Sequence, residues 1–282
     1  MALDLSDPEK IKGIFNGLDA VIHLAANPSP AAPWESVERN NIKATYNVFK
    51  ECVRSGVRRL VFASTNHVQH GNTMLTTPET LDPNRVVQMK LTDQPNPDSL
   101  YAVSKLFGEG LGKLYSEQYD LEFVGLRIGS TIPEDDPTVK TGTSAEDYIR
   151  AMFLSQRDCV QAFIRALEVD TRFMLAYAIS RNDRRVFDLK KTERILGFHP
   201  VDNAEDYFRG IKYVPISCKP HFDSAQCQKS FSQPNQLGNL IWAEELAPST
   251  DFSFSSGITT TVSPALANPS LFLIFSSINS GD

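Results

Sequence analysis

Short, continuously apolar runs alternate with helical segments along much of this chain of 282 residues. Residues 20–25, 60–63 and 121–128 have the length and composition of strands that are buried on both faces. Between them lie segments such as residues 40–53, whose apolar side chains recur on one side of a helix. This order predicts an α/β fold, in which a parallel sheet is covered by helices on both faces.

The chain divides into three parts by composition. Residues 1–135 carry the alternating pattern and form the predicted core. Residues 136–212 contain a further helical segment, and we interpret them as a small substrate-binding part that is interleaved with the core. After residue 212, Ser, Pro, Asn and Thr dominate and no apolar period persists. Residues 213–282 are therefore predicted to be a tail of low order.

Charge and cysteine content argue against several classes of partner. The 28 basic and 34 acidic residues give a net charge of −6 without any basic block, so neither nucleic acid nor a membrane is an expected partner. The five histidines are scattered, and the four cysteines lack metal or disulfide spacing. These features predict a cytoplasmic protein with no metal site.

A tyrosine and a lysine one helical turn apart are the strongest chemical signal. Tyr101 and Lys105 follow an apolar strand that ends in Ser64 and Thr65. Residues four apart share a helix face, and a nearby ammonium favours the phenolate. The pair is thus predicted to act as an acid/base system on a sugar or alcohol hydroxyl, with Ser64 or Thr65 holding the substrate oxygen.

The sequence contains no glycine-rich dinucleotide turn of the form G-x-G-x-x-G or G-x-x-G-x-x-G. Such domains normally open with a strand, that turn and a helix that holds the pyrophosphate. We therefore expect the chain to lack this first unit, which spans on the order of 50 residues. The strand at residues 20–25 would then have a free edge.

Several ordered motifs resemble the extended short-chain dehydrogenase/reductases, specifically the NAD-dependent epimerase/dehydratase family. The motifs are Asp4-Leu5, His23-Leu-Ala-Ala26, Asn40-Asn41, Phe62-Ala-Ser-Thr-Asn-His67, Tyr101-Ala-Val-Ser-Lys105 with Gly108-Glu109, Leu126-Arg-Ile-Gly129 and Leu196-Gly-Phe-His-Pro200. The uronate dehydrogenases and the archaeal NAD-dependent glucose-6-phosphate dehydrogenases are the most similar branches. The resemblance implies a Rossmann-like sheet, NAD as the cofactor with NADP not excluded, and oxidation of a sugar at its anomeric carbon.

The same resemblance implies roles for individual residues. Tyr101 would be the acid/base, Lys105 would lower its pKa and bind the nicotinamide ribose, and Thr65, or the adjacent Ser64, would be the catalytic hydroxyl. The other implied cofactor contacts are Asp4, Leu5, Leu24, Ala25, Ala26, Asn41 and Ile128. The implied substrate contacts are Asn66, His67 and Ser130, with Lys140 and Arg150 as candidate partners for the anion of a sugar acid or sugar phosphate. Pro28 stands where uronate dehydrogenases carry a serine.

Two alternatives remain open from the sequence. The Tyr–Lys pair would also serve an epimerase or dehydratase with tightly held NAD, and without the glycine turn the chain would be a truncated, non-catalytic binding isoform. The resemblance also implies a homodimer through the helices that begin near Asn40 and Tyr101.

Overall fold

A six-stranded sheet forms the centre of the molecule. The computed structural model describes residues 3–71 and 88–211, and the backbone alone of residues 256–264 and 271–279. The strands are β1 (Ala20–His23), β2 (Arg59–Thr65), β3 (Glu122–Ile128), β4 (Phe173–Ala178), β5 (Ser256–Pro264) and β6 (Leu271–Asn279), in the spatial order β4-β3-β2-β1-β6-β5. All neighbours are parallel except β5, which is antiparallel to β6. The predicted parallel sheet is confirmed.

Seven α-helices lie in the part of the chain described. They are α1 (Pro8–Ile11), α2 (Trp34–Val37), α3 (Ala44–Arg54), α4 (Leu100–Gln118), α5 (Glu146–Met152), α6 (Gln156–Glu168) and α7 (Ala204–Phe208). Two π-helical segments (Glu38–Lys43 and Thr192–Leu196) and two 3₁₀ turns (Asn66–Val68 and Pro137–Lys140) accompany them. None of the helices in the described ranges has the length and apolarity that a membrane span requires.

Hydrophobic cores lie on both faces of the sheet, because alternate strand residues point to opposite sides. On one face, Leu60 and Phe62 of β2 belong to the same cluster as Phe49 of α3. On the other face, Val61 clusters with Ala162 of α6. The continuously apolar strands of the sequence are therefore explained by burial on both sides.

Two ranges of the segment that the sequence predicts to be of low order form strands. β6 pairs in parallel with β1, with Ala20 opposite Leu271 and His23 opposite Ile274, and β5 pairs with β6. The edge of β1 presents unpaired backbone N–H and C=O groups, and the apolar residues 271–275 supply a strand that satisfies them. The remainder of the predicted tail lies outside the described residues.

Glycines in α4 allow close contact with the sheet. Gly108 and Gly112 lie directly over the rings of Phe62 and Phe123, so that an added Cβ would fall inside van der Waals distance of either ring. At Gly110 an added Cβ would have no neighbour within 4 Å. The helix therefore needs two of these glycines for packing, whereas the third weakens it without a packing benefit.

We expect Gly108→Ala and Gly110→Ala to change stability in opposite directions. Gly110→Ala should raise the free energy of unfolding by about 0.5–1 kcal/mol, because alanine loses less backbone entropy in a helix. Gly108→Ala gains the same stabilisation from backbone entropy, but its added methyl group overpacks Phe62, which costs about 1–3 kcal/mol. Denaturant unfolding of both variants measures the difference, and an equal gain in both would contradict the packing described for α4.

Candidate active site

A cavity of about 300 Å³ lies at the carboxyl ends of β1, β2 and β3. Ligands of open parallel sheets bind at this edge. Ten of the residues predicted from the sequence line it: Leu24, Ala26, Ser64, Thr65, Asn66, His67, Tyr101, Lys105, Ile128 and Ser130. They are joined by Pro28, Ala63, Gly129, Thr131 and Tyr148. The structure thus gathers residues from most of the motifs into one concave site.

Tyr101 reaches the cavity from the first turn of α4. The side chain of Ser99 caps this helix by accepting a hydrogen bond from the backbone N–H of Ala102. The Tyr101 side chain is buried and lies near Thr65, at the end of β2. Burial raises the pKa of Tyr101 above its ordinary value, although the neighbouring Thr65 side chain acts in the opposite direction. The sequence-based expectation of a lowered pKa is therefore not met in this structure.

The charge of Lys105 does not offset this effect of burial on Tyr101. Its ammonium is buried, donates a hydrogen bond to the carbonyl of Ala63 at 2.7 Å, and lies 5.7 Å from the centre of the Tyr101 ring. Burial lowers the pKa of Lys105 to about 7, so close to neutral pH its charge is partly lost. A partly neutral lysine that is bonded to the backbone exerts little pull on the phenol proton.

The two candidate hydroxyls have different partners because successive strand residues point to opposite faces. Ser64 Oγ donates to Glu109 Oε1 at 2.6 Å. Thr65 Oγ1 accepts from the backbone N–H of His67 at 3.3 Å, and the Thr65 side chain is near enough to Tyr101 to influence the pKa of the phenol. The geometry favours Thr65 over Ser64 as the partner of the tyrosine.

A buried ion pair lies next to Ser64, which lines the cavity. Arg127 of β3 donates to both carboxylate oxygens of Glu109, from Nε at 2.9 Å and from Nη2 at 2.8 Å. Its Nη1 donates to Gln69 at 2.9 Å, and Gln69 in turn accepts from the Tyr177 hydroxyl at 2.5 Å. The sequence contained Glu109 and Arg127 in its motifs, yet nothing in their spacing showed that they form a pair. The network ties α4, β3 and β4 together below Ser64.

Asn41 holds the loop after β1. Its Oδ1 accepts from the backbone N–H of Asn27 at 2.7 Å. Its Nδ2 donates to the Asn27 carbonyl at 3.1 Å and to Ser104 Oγ at 3.0 Å. The π-helical turn around Asn41 therefore positions the loop that carries Ala26 and Pro28 against α4.

On the opposite side of the cavity, predicted residues meet partners that the sequence did not indicate. Asn66 donates to the hydroxyl of Tyr148 at 2.7 Å, and burial raises the pKa of Tyr148 to about 12. His67 Nδ1 lies 2.7 Å from Asp98 Oδ2. Tyr148 and Asp98 lie outside the sequence motifs. The sequence therefore did not indicate them as site residues.

Six predicted residues do not line the cavity: Asn41, described above, and five others. Asp4 pairs with Arg39 at 2.5 Å and accepts from Ser6. Leu5 and Ala25 are buried in the hydrophobic core. The last two are the candidate anion partners, Lys140 and Arg150.

Neither Lys140 nor Arg150, the predicted partners of an anionic substrate, lines the cavity. Lys140 is exposed at the end of a 3₁₀ turn. Arg150 is bound to Glu146 at 2.8 Å and to Glu205 at 3.1 Å, and its guanidinium stacks over the ring of Phe208 at 3.7 Å. Two carboxylates from its own and a distant helix neutralise it. Among the described residues that line the cavity, Lys105 is the one lysine or arginine.

A parallel sheet with a Tyr–Lys helix beside the carboxyl ends of its strands defines the class of Rossmann-type oxidoreductases. Comparison with known proteins gives the family. Residues 1–160 match the NAD dependent epimerase/dehydratase family, and the chain belongs to that family.

Its relatives include sugar dehydrogenases. The chain is 42% identical to the L-arabinose 1-dehydrogenase (NAD(P)(+)) of Haloferax volcanii, with 72% of this chain and 82% of that protein covered. It is 37% identical to the NAD-dependent glucose-6-phosphate dehydrogenase of the same organism, over 72% and 76% of the two chains. A mutant uronate dehydrogenase from Agrobacterium tumefaciens, complexed with NAD, superposes with a TM-score of 0.60 at 26% identity over 76% and 74%. The predicted family and its two branches are confirmed.

Proposed function

We propose that this protein oxidises an aldose at its anomeric carbon with NAD or NADP and produces the lactone. The observation that carries the proposal is that Tyr101, Thr65 and Lys105 line the same cavity. These side chains can remove the proton of a substrate hydroxyl. The relatives named above, which act on L-arabinose, glucose-6-phosphate and uronate, support a sugar as the substrate.

The residues present fit the nicotinamide end of the cofactor. Leu24, Ala26 and Ile128 give the cavity an apolar wall with small side chains next to the polar Tyr101 and Lys105. These five residues would hold the nicotinamide and its ribose. When bound, the nicotinamide supplies the hydride acceptor.

The protein's own groups handle the proton. As the hydride leaves the anomeric carbon, the carbon–oxygen double bond forms and the hydroxyl proton must go to a base. Tyr101 takes that proton as the phenolate, and Thr65 orients the substrate oxygen between the two side chains. Lys105, when it carries its proton, would stabilise the phenolate that forms on Tyr101.

The charge of the site favours a neutral aldose over a sugar acid or a sugar phosphate. Lys140 and Arg150 do not line the cavity, and the ammonium of Lys105 is already bonded to Ala63. A carboxylate or phosphate would meet no free arginine or lysine among the described lining residues. The polar side chains of Asn66, His67 and Ser130 suit the hydroxyls of an uncharged sugar.

Formation of NADH from a panel of sugars tests the proposal. We expect the full chain to reduce NAD or NADP with neutral aldoses such as L-arabinose, and less efficiently with glucuronate or glucose-6-phosphate. An epimerase or dehydratase would convert its sugar without net NADH. The absence of NADH with every sugar would contradict the proposed function.

We also propose that two chains associate through α3 and α4. Leu100, Val103, Phe107 and Leu114 of α4 and Tyr46 of α3 are large apolar side chains exposed on the surface. Light scattering should give the mass of two chains, and a monomer at all concentrations would contradict this arrangement.

The free cysteines Cys52 and Cys159 fit a reducing, cytoplasmic setting.

A further inference from the structure

Two histidines and an aspartate meet at the rim of the cavity. His67 Nδ1 and His70 Nδ1 lie 2.7 Å and 2.5 Å from the same oxygen, Asp98 Oδ2. The two Nδ1 atoms are 3.3 Å apart. All three side chains are mostly buried, with exposed fractions of 20%, 18% and 12% respectively. Three atoms that are each able to bind a metal thus face one point.

The local chain explains this convergence. His67 lies in the 3₁₀ turn that follows β2, and His70 comes three residues later, so that both project from one side of the turn. Asp98 lies directly before the cap of α4, and the hydroxyl of Ser99 donates to its other oxygen, Oδ1, at 2.8 Å. That bond orients Asp98 so that Oδ2 faces the two imidazoles, as an outer-shell partner does for a metal-binding carboxylate.

Both imidazoles share one oxygen of Asp98. For both imidazoles to bond to Asp98, each must carry its proton on Nδ1, and the two N–H groups then point at one oxygen with their nitrogens 3.3 Å apart. A single cation at this point would bind all three atoms instead. Metal–ligand bonds of about 2.0 Å in a tetrahedron separate the ligand atoms by about 3.3 Å. The two nitrogens already have this separation, and Asp98 Oδ2 would move by less than about 1 Å.

We propose that His67, His70 and Asp98 bind a divalent metal ion of the zinc class at the rim of the cavity. Two imidazoles and one carboxylate suit zinc and its neighbours among the transition metals. The scattered histidines of the sequence predicted no metal site, because His70 and Asp98 are separated by a long segment and meet only in the fold. Three protein ligands leave a coordination position for water or a sugar hydroxyl.

The position of this site gives the metal access to the substrate. His67 itself lines the cavity, and its ring centre lies 6.0 Å from that of Tyr101. Tyr148, which also lines the cavity, has its ring centre 5.0 Å from that of His70. A bound cation would therefore supply the positive charge that the described arginines and lysines do not bring to the rim, and it would orient a sugar oxygen there.

Cobalt(II) titration of the chelator-treated full chain tests the proposal. We expect one Co²⁺ per chain, with d–d absorption typical of nitrogen and oxygen ligands, and competition by Zn²⁺. His70→Gln and Asp98→Asn should each weaken binding by at least about tenfold. The matched control is His199→Gln, because His199 is exposed and distant in sequence from the cluster; it should bind as the unchanged protein does.

Binding needs neither NAD nor a sugar, so this result is independent of the proposed function. Two variants are measured because one of them could have a folding defect, which circular dichroism would detect. The other variant would then still test whether the cluster binds the metal. Unchanged Co²⁺ binding in the folded variants, or a thiolate charge-transfer band that assigns the metal to cysteines such as Cys218 and Cys227, would overturn the proposal. The absence of stoichiometric binding in the unchanged protein would overturn it as well.

Discussion

Replacement of Tyr101 by phenylalanine is expected to lower kcat by about 10²–10⁴-fold while the protein remains folded. The ring keeps its buried position on α4, and the change removes the hydroxyl near Thr65 in the cavity. Without it, the site loses the base that takes the proton of the sugar hydroxyl. Steady-state kinetics with the best sugar of the panel, together with calorimetric titration of NAD, measure the effect on catalysis and on binding separately.

Tyr119→Phe is the matched control for this prediction. Tyr119 caps the carboxyl end of the same helix, its side chain is exposed, and it does not line the cavity. We expect its kcat to equal that of the unchanged protein. Equal activity of Tyr101→Phe and Tyr119→Phe would show that the Tyr101 hydroxyl has no part in the reaction.

Glu109→Gln is expected to destabilise the fold by about 3–5 kcal/mol. The substitution preserves the shape of the side chain but removes its charge. The guanidinium of Arg127, whose side chain is 3% exposed, then stays buried without a counter-ion. Ser64 also loses its charged acceptor at the end of β2. Chemical denaturation, monitored by circular dichroism, measures the loss.

The control for Glu109 is Glu117→Gln on the same helix. Glu117 pairs with Lys113, and both side chains are more than half exposed, so solvent screens the pair and its contribution is small. We expect little change in the denaturation midpoint of this variant. A similar midpoint for both variants would mean that the Glu109–Arg127 pair does not stabilise the fold.

The layered fold was predictable because its signals are local. Each strand of the core is a short apolar run. A run that is apolar at every position indicates a strand that is buried on both faces. The pairing of β6 with β1 was not predictable, since it joins segments separated by most of the chain and depends on the free edge of β1. Composition alone could not show that residues 271–279 would satisfy that edge.

The site was predictable to the extent that its residues follow strand ends or share a helix turn. Thr65, His67 and Tyr101 are brought to one cavity for this reason. The ion pair of Arg150 with Glu205 was not predictable, because Glu205 comes from a distant helix and no local pattern reveals a neutralised arginine. The lowered pKa of Lys105 likewise follows from tertiary burial, which a sequence motif does not contain.

The transfer of deuterium from the anomeric carbon of the substrate to the cofactor tests the central claim most directly. An aldose that carries deuterium at C1 is incubated with the full chain and NAD, and both products are analysed by mass spectrometry. We expect one deuterium in the reduced cofactor for each lactone formed, and a rate of this transfer in Tyr101→Phe that falls by the same factor as kcat. Reduced cofactor without deuterium, or sugar conversion without reduced cofactor, would contradict this claim.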